Sequence, residues 1–328
     1  MIIASISVCL ACFSLWFFAV GFWSTCLIWG VVGSGLAGTY MPGLQVLNDR
    51  LNMTDRVKLT PWYTSSFGLS NGISFAVIGY LFANFSWKIA CYTTSISAAL
   101  SAIIILFLTT SHNQKKNITE RKFFDLRPAF KNKEALGYIF SYGTHTYELF
   151  AYRAWIFTFL LWASLRTPNT ISSELISLII GIFMFIGMVS SLMGAKFCLD
   201  YGRKKVLMII GFATFVFSVI CAISISLPLW VIIILVGIYH AFIMLDSGAL
   251  TAGTVSVSDD NERGAILAFH SIIGFAGGAI AGPIIGFILD INGGTNNTSA
   301  WIFAFISMGL GSLFVFLIQY RSLTRIKN

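Results

Sequence analysis

The sequence predicts an all-α polytopic membrane protein with about ten transmembrane helices. Hydrophobic residues make up 57% of the 328 residues and charged residues only 10%, against about 25% charged in an ordinary soluble domain. The 21 Lys and Arg residues outnumber the 13 Asp and Glu residues, but they occur in short clusters between long uncharged runs. This pattern is typical of multispan membrane proteins. It does not suggest the basic surface patch that binds nucleic acid, so no nucleic-acid partner is expected.

The uncharged runs define the predicted spans. Residues 1–48 contain no charge, and one helix of that length would run ~72 Å, more than twice the ~30 Å hydrocarbon core. The chain must therefore turn, and we place the turn at Val20 and Gly21. The predicted spans are 2–20, 22–45, 62–84, 89–110, 135–162, 173–194, 206–226, 228–251, 264–289 and 300–320.

The distribution of Lys and Arg predicts the orientation, because loops on the cytoplasmic side are enriched in them. If the N-terminus is cytoplasmic, the inside loops hold eighteen of the 21 basic residues. The outside loops hold only Lys88 and Arg166, and Arg153 lies within a span. We therefore expect a multi-pass protein of the plasma (inner) membrane with both termini in the cytoplasm.

Ionisable residues inside the predicted spans indicate a candidate site, because each is costly in a bilayer unless it faces a polar interior. The fifth span is the richest. Its polar and aromatic stripe contains Tyr138, Ser141, Tyr142, His145, Glu148, Tyr152 and Arg153. Such a stripe suits the wall of an aqueous central cavity. The expected substrate or proton pathway consists of His145, Glu148, Arg153, Tyr142, Tyr152 and, from the eighth span, His240. A structural polar network that locks helices together is the alternative.

A second group of residues is expected to act as gating or structural charges: Asp246, Asp200, Arg203 and His270. Asp246 lies near the cytoplasmic end of its span, where an ion pair with Arg203 or Arg263 is expected. His270 lies close to the inner surface. It is either a contact between helices or a protonatable element of a gate.

Small residues and thiols have simpler interpretations. The spacing of Gly33, Gly35 and Gly38 matches a dinucleotide-binding fingerprint formally, but that fingerprint requires a preceding strand. Uncharged helix surrounds it here, so close helix packing is expected. The same holds for a ridge in the ninth span formed by Gly274, Gly278, Gly282 and Gly286. Cys9 and Cys12 are expected to pack as small apolar residues.

An intramembrane metalloenzyme would require a motif such as His-x-x-x-His, or paired carboxylates on one helix. The chain has neither, so no metal, cofactor or enzymatic activity is expected. Convergence of His145, His240 and His270 on one point would favour an enzyme.

Four segments resemble the major facilitator superfamily. The first, Gly194 to Lys205, is similar to that family's cytoplasmic loop motif, Gly-x-Leu-Ala-Asp-Arg-x-Gly-Arg-Arg/Lys. Alignment on Gly202 and Arg203 places Ala195 at the first Gly and Leu199 at the Asp, with Asp200 displaced by one position. The other segments are 36–43, 145–155 and 246–253.

The resemblance implies two six-helix halves joined by a cytoplasmic loop, with a central site and alternating access. It divides the chain into a partial N-terminal half of four spans (1–110), a basic linker (111–134) and a complete C-terminal half (135–328). The family's first two helices would then be missing before residue 1. Truncation, an internally assigned start codon or a second chain that fills the gap would each account for this.

The resemblance therefore implies a secondary transporter. We expect Arg153 and His145 to orient a small anionic solute and Glu148 to take up a proton. The expected partners are this solute, protons and the lipid bilayer. A truncated remnant or a membrane assembly partner without transport activity is the second possibility, and an intramembrane enzyme is the third.

Overall fold

A computed structural model describes residues 1–108, 125–168 and 170–327, and every regular element in these ranges is helical. The first helices are α1 (Ile2–Phe18), α2 (Phe22–Ala37), α3 (Tyr40–Asp49), α4 (Met53–Asn84), α5 (Trp87–Leu108) and α6 (Arg127–Lys131). The later helices are α7 (Lys133–Leu165), α8 (Ser173–Tyr201), α9 (Arg203–Ile223), α10 (Leu229–Leu245), α11 (Ser247–Ser256), α12 (Arg263–Ile291) and α13 (Thr298–Lys327). The predicted all-α membrane fold is confirmed. Much of the predicted linker, 111–124, lies outside the described residues.

Within the described ranges, seven helical segments are long and apolar enough to cross a membrane. They are Thr54–Asn84, Trp87–Phe107, Ser173–Tyr201, Arg203–Ile223, Leu229–Ser256, Arg263–Ile291 and Thr298–Thr324. Helix α7 is not among these seven segments. Its 33 residues span about 50 Å at 1.5 Å per residue, which is long enough to cross a membrane, but the polar stripe lowers its mean hydropathy. The count of ten spans stays a prediction.

Two predicted spans are divided in the structure. The predicted span 22–45 is interrupted between Ala37 and Tyr40, where α2 ends and α3 begins. Pro42 lies in the first turn of α3, and a proline cannot donate the backbone hydrogen bond that would continue α2. The predicted span 228–251 is interrupted at Asp246, which separates α10 from α11.

The chain forms two compact units. The first consists of Met1–Leu51 and Val77–Asp125, and in it α1 packs against α2 and α5. A Cβ atom added to Gly35 would lie 2.1 Å from Val8 Cγ2, so α1 and α2 approach closely at this glycine. Cys9 Sγ lies 3.4 Å from Ser95 Oγ. Close helix packing is therefore found at Gly35 and Gly38, whereas a Cβ atom added to Gly33 would meet nothing within 4 Å. Cys9 contacts a serine hydroxyl, which is not the purely apolar packing predicted for it.

The second unit consists of Asn52–Ala76 and Leu126–Asn328. Helix α7 runs through it and packs against α8, α10, α11, α12 and α13. Its largest fully buried side chains include Trp301, Tyr152, Tyr239 and Phe159. The predicted polar stripe of α7 therefore lies within this unit.

The glycine ridge of α12 packs closely against another helix, as predicted, and the structure identifies that helix as α7. A Cβ atom on Gly274 would lie 2.3 Å from Tyr142 Cε1, and one on Gly278 would lie 2.9 Å from Phe150 Cδ2. The hydroxyl of Thr146 donates to the Gly274 carbonyl oxygen over 2.7 Å. Small residues let membrane helices approach closely enough for such contacts.

Candidate functional site

The polar stripe of α7 is buried in the helical bundle. The buried residues Ser141, His145, Glu148 and Tyr152 recur at spacings of three or four along the helix, which places them on one face. The apolar residue Leu149 is buried as well. Helix α7 is thus enclosed on more than one side, and its polar side chains take partners on neighbouring helices.

The carboxylate of Glu148 joins three helices. Its exposed fraction is 1%. The Tyr239 hydroxyl on α10 donates to Oε1 over 2.6 Å, and the Ser312 hydroxyl on α13 donates to Oε2. Hydrogen bonds to an ionised carboxylate are the strong ones, so two donors can hold this group in an apolar interior.

The side chains of His145 and Asp246 form a buried pair. The His145 Nδ1 atom lies 2.7 Å from Asp246 Oδ1, and both side chains are at most 4% exposed. This corrects the predicted pairing of Asp246 with Arg203 or Arg263. Asp246 lies where α10 ends, against α7, whereas Arg203 Nη1 bonds to Ser256 Oγ over 2.7 Å.

His240 lies against an aromatic ring of α7. Its ring stacks on Tyr152 with centroids 4.9 Å apart, and the Tyr152 hydroxyl donates to the Val236 carbonyl oxygen over 3.0 Å. Both nitrogens of His240 are buried without a hydrogen-bond partner in the described part of the chain. A Cβ atom on Gly187 would lie 2.8 Å from Nε2, so this nitrogen faces the backbone of α8.

His270 joins α12 to α11 and α7. Its Nδ1 and Nε2 atoms lie 3.1 Å and 3.5 Å from the hydroxyls of Thr254 and Thr251. Its ring stacks on Tyr142 with centroids 3.9 Å apart. These contacts correspond to the helix-contact alternative considered for His270.

Arg153 lies on two aromatic rings. Its guanidinium carbon is 5.2 Å from the centroid of Phe67 and 5.9 Å from that of Phe150. The guanidinium nitrogens are shielded from solvent. Glu148 takes its hydrogen bonds from Tyr239 and Ser312, so the two charged residues of the stripe have different neighbours.

The predicted gating charges do not form one cluster. Asp200 is exposed near the end of α8, and Arg203 begins α9 after Gly202, whose φ of 92° favours glycine. The adjacent Lys204 pairs with Glu134 over 2.6 Å. The structure therefore places Asp200 at the surface, apart from the buried pair of His145 and Asp246.

Sequence reasoning missed Tyr239 and Ser312. The sequence did contain a signal for Ser312. Ser312 and Gln319 lie seven residues apart in an apolar helix, and polar residues in such helices commonly form hydrogen bonds to neighbouring helices. Gln319 Nε2 donates to Ser141 Oγ over 2.9 Å. Tyr239 had no comparable signal, since an aromatic residue in an apolar helix is usually only packed.

Other features lie apart from Glu148. Two cavities of about 300 and 360 Å³ share Arg166 at the end of α7, about 27 Å along the helix from Glu148. Among the described residues, no three His, Cys, Asp or Glu side chains are placed to hold a metal ion. Within the described residues, His145, His240 and His270 therefore do not form the three-ligand cluster that would favour an enzyme.

Solved structures of transporters share this fold. The Escherichia coli fucose:proton symporter aligns with a TM-score of 0.64 and 11% identity, over 96% of this chain and 82% of that chain. A bacterial homologue of the iron transporter ferroportin, in an outward-facing state, aligns with a TM-score of 0.59 and 15% identity, over 98% and 82%. At these identities the likeness concerns the fold alone. A search of curated protein sequences gives no match.

The sequence itself matches a family model. The description of that model is Major Facilitator Superfamily, and the matched residues are 1–165 and 135–327. Together the two matches cover nearly the whole chain, including the loop motif that begins at Gly194 and the polar stripe of α7. The chain therefore belongs to the Major Facilitator Superfamily, as its motifs predicted.

Proposed function

We propose that the chain is a secondary active transporter that moves a small anionic solute together with a proton by alternating access. The family and the fold support secondary transport. The observation that carries the proton role is the carboxylate of Glu148, which is buried near the middle of the 33-residue helix α7, a predicted membrane span. Ionisable residues at such positions are functional candidates by default, because burial makes them costly.

The proton role is assigned to Glu148. A carboxylate accepts hydrogen bonds only, and a carboxyl group also donates one. Uptake of a proton therefore changes the contacts of Glu148 with α10 and α13, two helices that pack against α7. This coupling between a proton and helix contacts is what a proton-driven transporter requires.

The solute role is assigned to Arg153. Its guanidinium is shielded from solvent and lies over Phe67 and Phe150. The five N–H donors of a guanidinium lie in its plane and match a carboxylate or a phosphate. His145 is engaged with Asp246, so its role is to hold the end of α10 beside α7. We therefore do not assign His145 the direct contact with the solute that the sequence led us to expect.

Proteoliposomes that contain the purified protein and a trapped pH-sensitive dye test this function. Small carboxylates, phosphate and neutral monosaccharides are added one at a time, and inward proton movement is followed. We expect an anionic solute to cause proton uptake, and Glu148→Gln to abolish the dependence of solute uptake on pH.

The matched control is Glu134→Gln, because Glu134 is on the same helix but is half exposed and paired with Lys204. It should behave as the unmodified protein. Unchanged pH-dependent uptake by Glu148→Gln would remove Glu148 from the mechanism. Proton movement driven by monosaccharides alone would overturn the anionic class. Failure of every solute with the unmodified protein would favour a membrane protein without transport activity.

A further inference from the structure

Two hydroxyl groups that come from different helices hold one carboxylate. The Tyr239 hydroxyl lies 2.6 Å from Glu148 Oε1, and the Ser312 hydroxyl donates to Oε2. All three side chains are buried. Each carboxylate oxygen therefore has its own donor, and the two donors approach from α10 and α13.

Compared with an interior that lacks them, the two hydroxyl donors stabilise the ionised form of Glu148. Both hydroxyls can donate to a carboxylate, whereas a protonated carboxyl oxygen becomes a donor itself. One of the two hydroxyls must then turn to accept, or its contact is lost. Hydrogen bonds to charged acceptors are also roughly twice as strong as those between neutral groups.

We propose that Tyr239 and Ser312 are positioning residues that set the pH at which Glu148 takes up its proton. This inference rests on the proposed function, in which Glu148 is the proton-binding group. The proton passes from a hydronium ion to one carboxylate oxygen and leaves to water in the reverse step. One O–H bond of the hydronium ion breaks as the carboxyl O–H bond forms, and no other covalent bond changes.

Several titratable groups surround Glu148. Tyr147 precedes it on α7 and exchanges a hydrogen bond with Ser307 on α13 over 3.0 Å. Tyr239 faces it from α10, and Asp246, which caps the end of that helix, pairs with His145 one turn before Glu148 on α7. From α13 Glu148 receives the hydroxyl and the backbone N–H of Ser312, neither of which titrates. Tyr239 and Ser312 are the groups that bond to its oxygens.

The test is infrared difference spectroscopy of the purified full-length protein during a pH titration. The carboxyl C=O band of Glu148 is identified by its loss in Glu148→Gln. In Tyr239→Phe and in Ser312→Ala we expect the midpoint of this band to rise by about one pH unit, because each variant removes a donor to the ionised form. Ser312→Thr keeps a hydroxyl and should restore the midpoint.

Tyr147→Phe is the matched control, because it removes a tyrosine hydroxyl that bonds to a serine of α13 but not to Glu148. Its midpoint should equal that of the unmodified protein. A melting temperature measured for each variant identifies those that do not fold, and the remaining donor variant then decides the outcome.

The outcomes separate the two proposals. A Glu148 band that titrates with the same midpoint in Tyr239→Phe and Ser312→Ala overturns the positioning roles and leaves the proton role intact. A band that does not titrate in the unmodified protein overturns the proton role, and with it the inference. An equal rise in Tyr147→Phe would show that loss of any nearby hydroxyl has this effect, which also overturns the inference.

Discussion

The His145 imidazole on α7 lies 2.7 Å from the Asp246 carboxylate at the junction of α10 and α11. Gly194 on α8 faces the same junction, because a Cβ atom there would lie 1.8 Å from the Leu245 carbonyl oxygen. The amide of Gly248 donates to Ser191 Oγ over 3.1 Å. Helices α7 and α8 thus both hold the point at which the membrane segment Leu229–Ser256 is interrupted.

Loss of one partner from the buried pair of His145 and Asp246 should destabilise the protein strongly. His145→Ala and Asp246→Asn should each lower the free energy of unfolding by ~3–5 kcal/mol, because the remaining group stays buried without its partner. Thermal unfolding of the purified protein in detergent measures this loss.

The double variant should lose less than the sum of the two single losses, since its second change removes an already unpaired group. Asp290→Asn is the control, because Asp290 is exposed near the end of α12. Additive losses in the double variant would show that the two side chains do not interact.

Gly194 should not tolerate a larger side chain. Gly194→Ala places its Cβ atom against the backbone of Leu245, which cannot move without shifting α10. We expect the free energy of unfolding to fall by ~1–3 kcal/mol, as for overpacking in other protein interiors, and the melting temperature to fall with it.

Gly137→Ala on α7 is the control, because the nearest atom to its added Cβ is Ser322 Oγ at 3.9 Å. That change should be neutral or slightly stabilising, since alanine favours a helix over glycine by up to ~1 kcal/mol. Equal melting temperatures for the two variants would contradict the close contact of α8 with α10.

The surface ion cluster of Asp260, Arg56 and Arg263 should make a small, pH-dependent contribution to the free energy of unfolding. Arg263 and Arg56 both donate hydrogen bonds to Asp260, and these bonds hold the pKa of the Asp260 carboxyl below its usual range. Because the pKa is lower in the folded protein, the stabilisation is complete at pH values above the pKa of the unfolded chain, about 4. It disappears as the pH falls through the pKa of the folded protein.

Asp260 is largely exposed, so the effect should not exceed about 1 kcal/mol. The difference in melting temperature between the unmodified protein and Asp260→Asn should be constant near neutral pH and shrink below about pH 4. Asp259→Asn, at an exposed neighbouring position, should show no such trend. A difference that grows on acidification would contradict the assigned contacts.

The predicted orientation can be measured with reporter fusions. Because basic residues favour cytoplasmic loops, a green fluorescent protein at the C-terminus should fluoresce. Alkaline phosphatase fused after Pro168 should be active, and the same enzyme fused after Lys205 should be inactive. Activity after Lys205 would reverse the predicted orientation.

The sequence by itself determined the class of fold, the family and the residues that are unusual for a bilayer. These follow from local properties, since span length, the scarcity of charge and the position of a basic cluster do not depend on what a helix touches. The loop motif at Gly194 and the polar stripe of α7 are read from consecutive residues in the same way.

Only the tertiary structure decided which polar groups meet. The carboxylate of Asp246 was expected to find an arginine near the surface, but it pairs with His145, and Glu148 takes donors from Tyr239 and Ser312. A helical projection gives the direction of each side chain around its own axis. It does not give the axial register or the rotation of the neighbouring helices, and those two quantities decide which donors reach a buried charge.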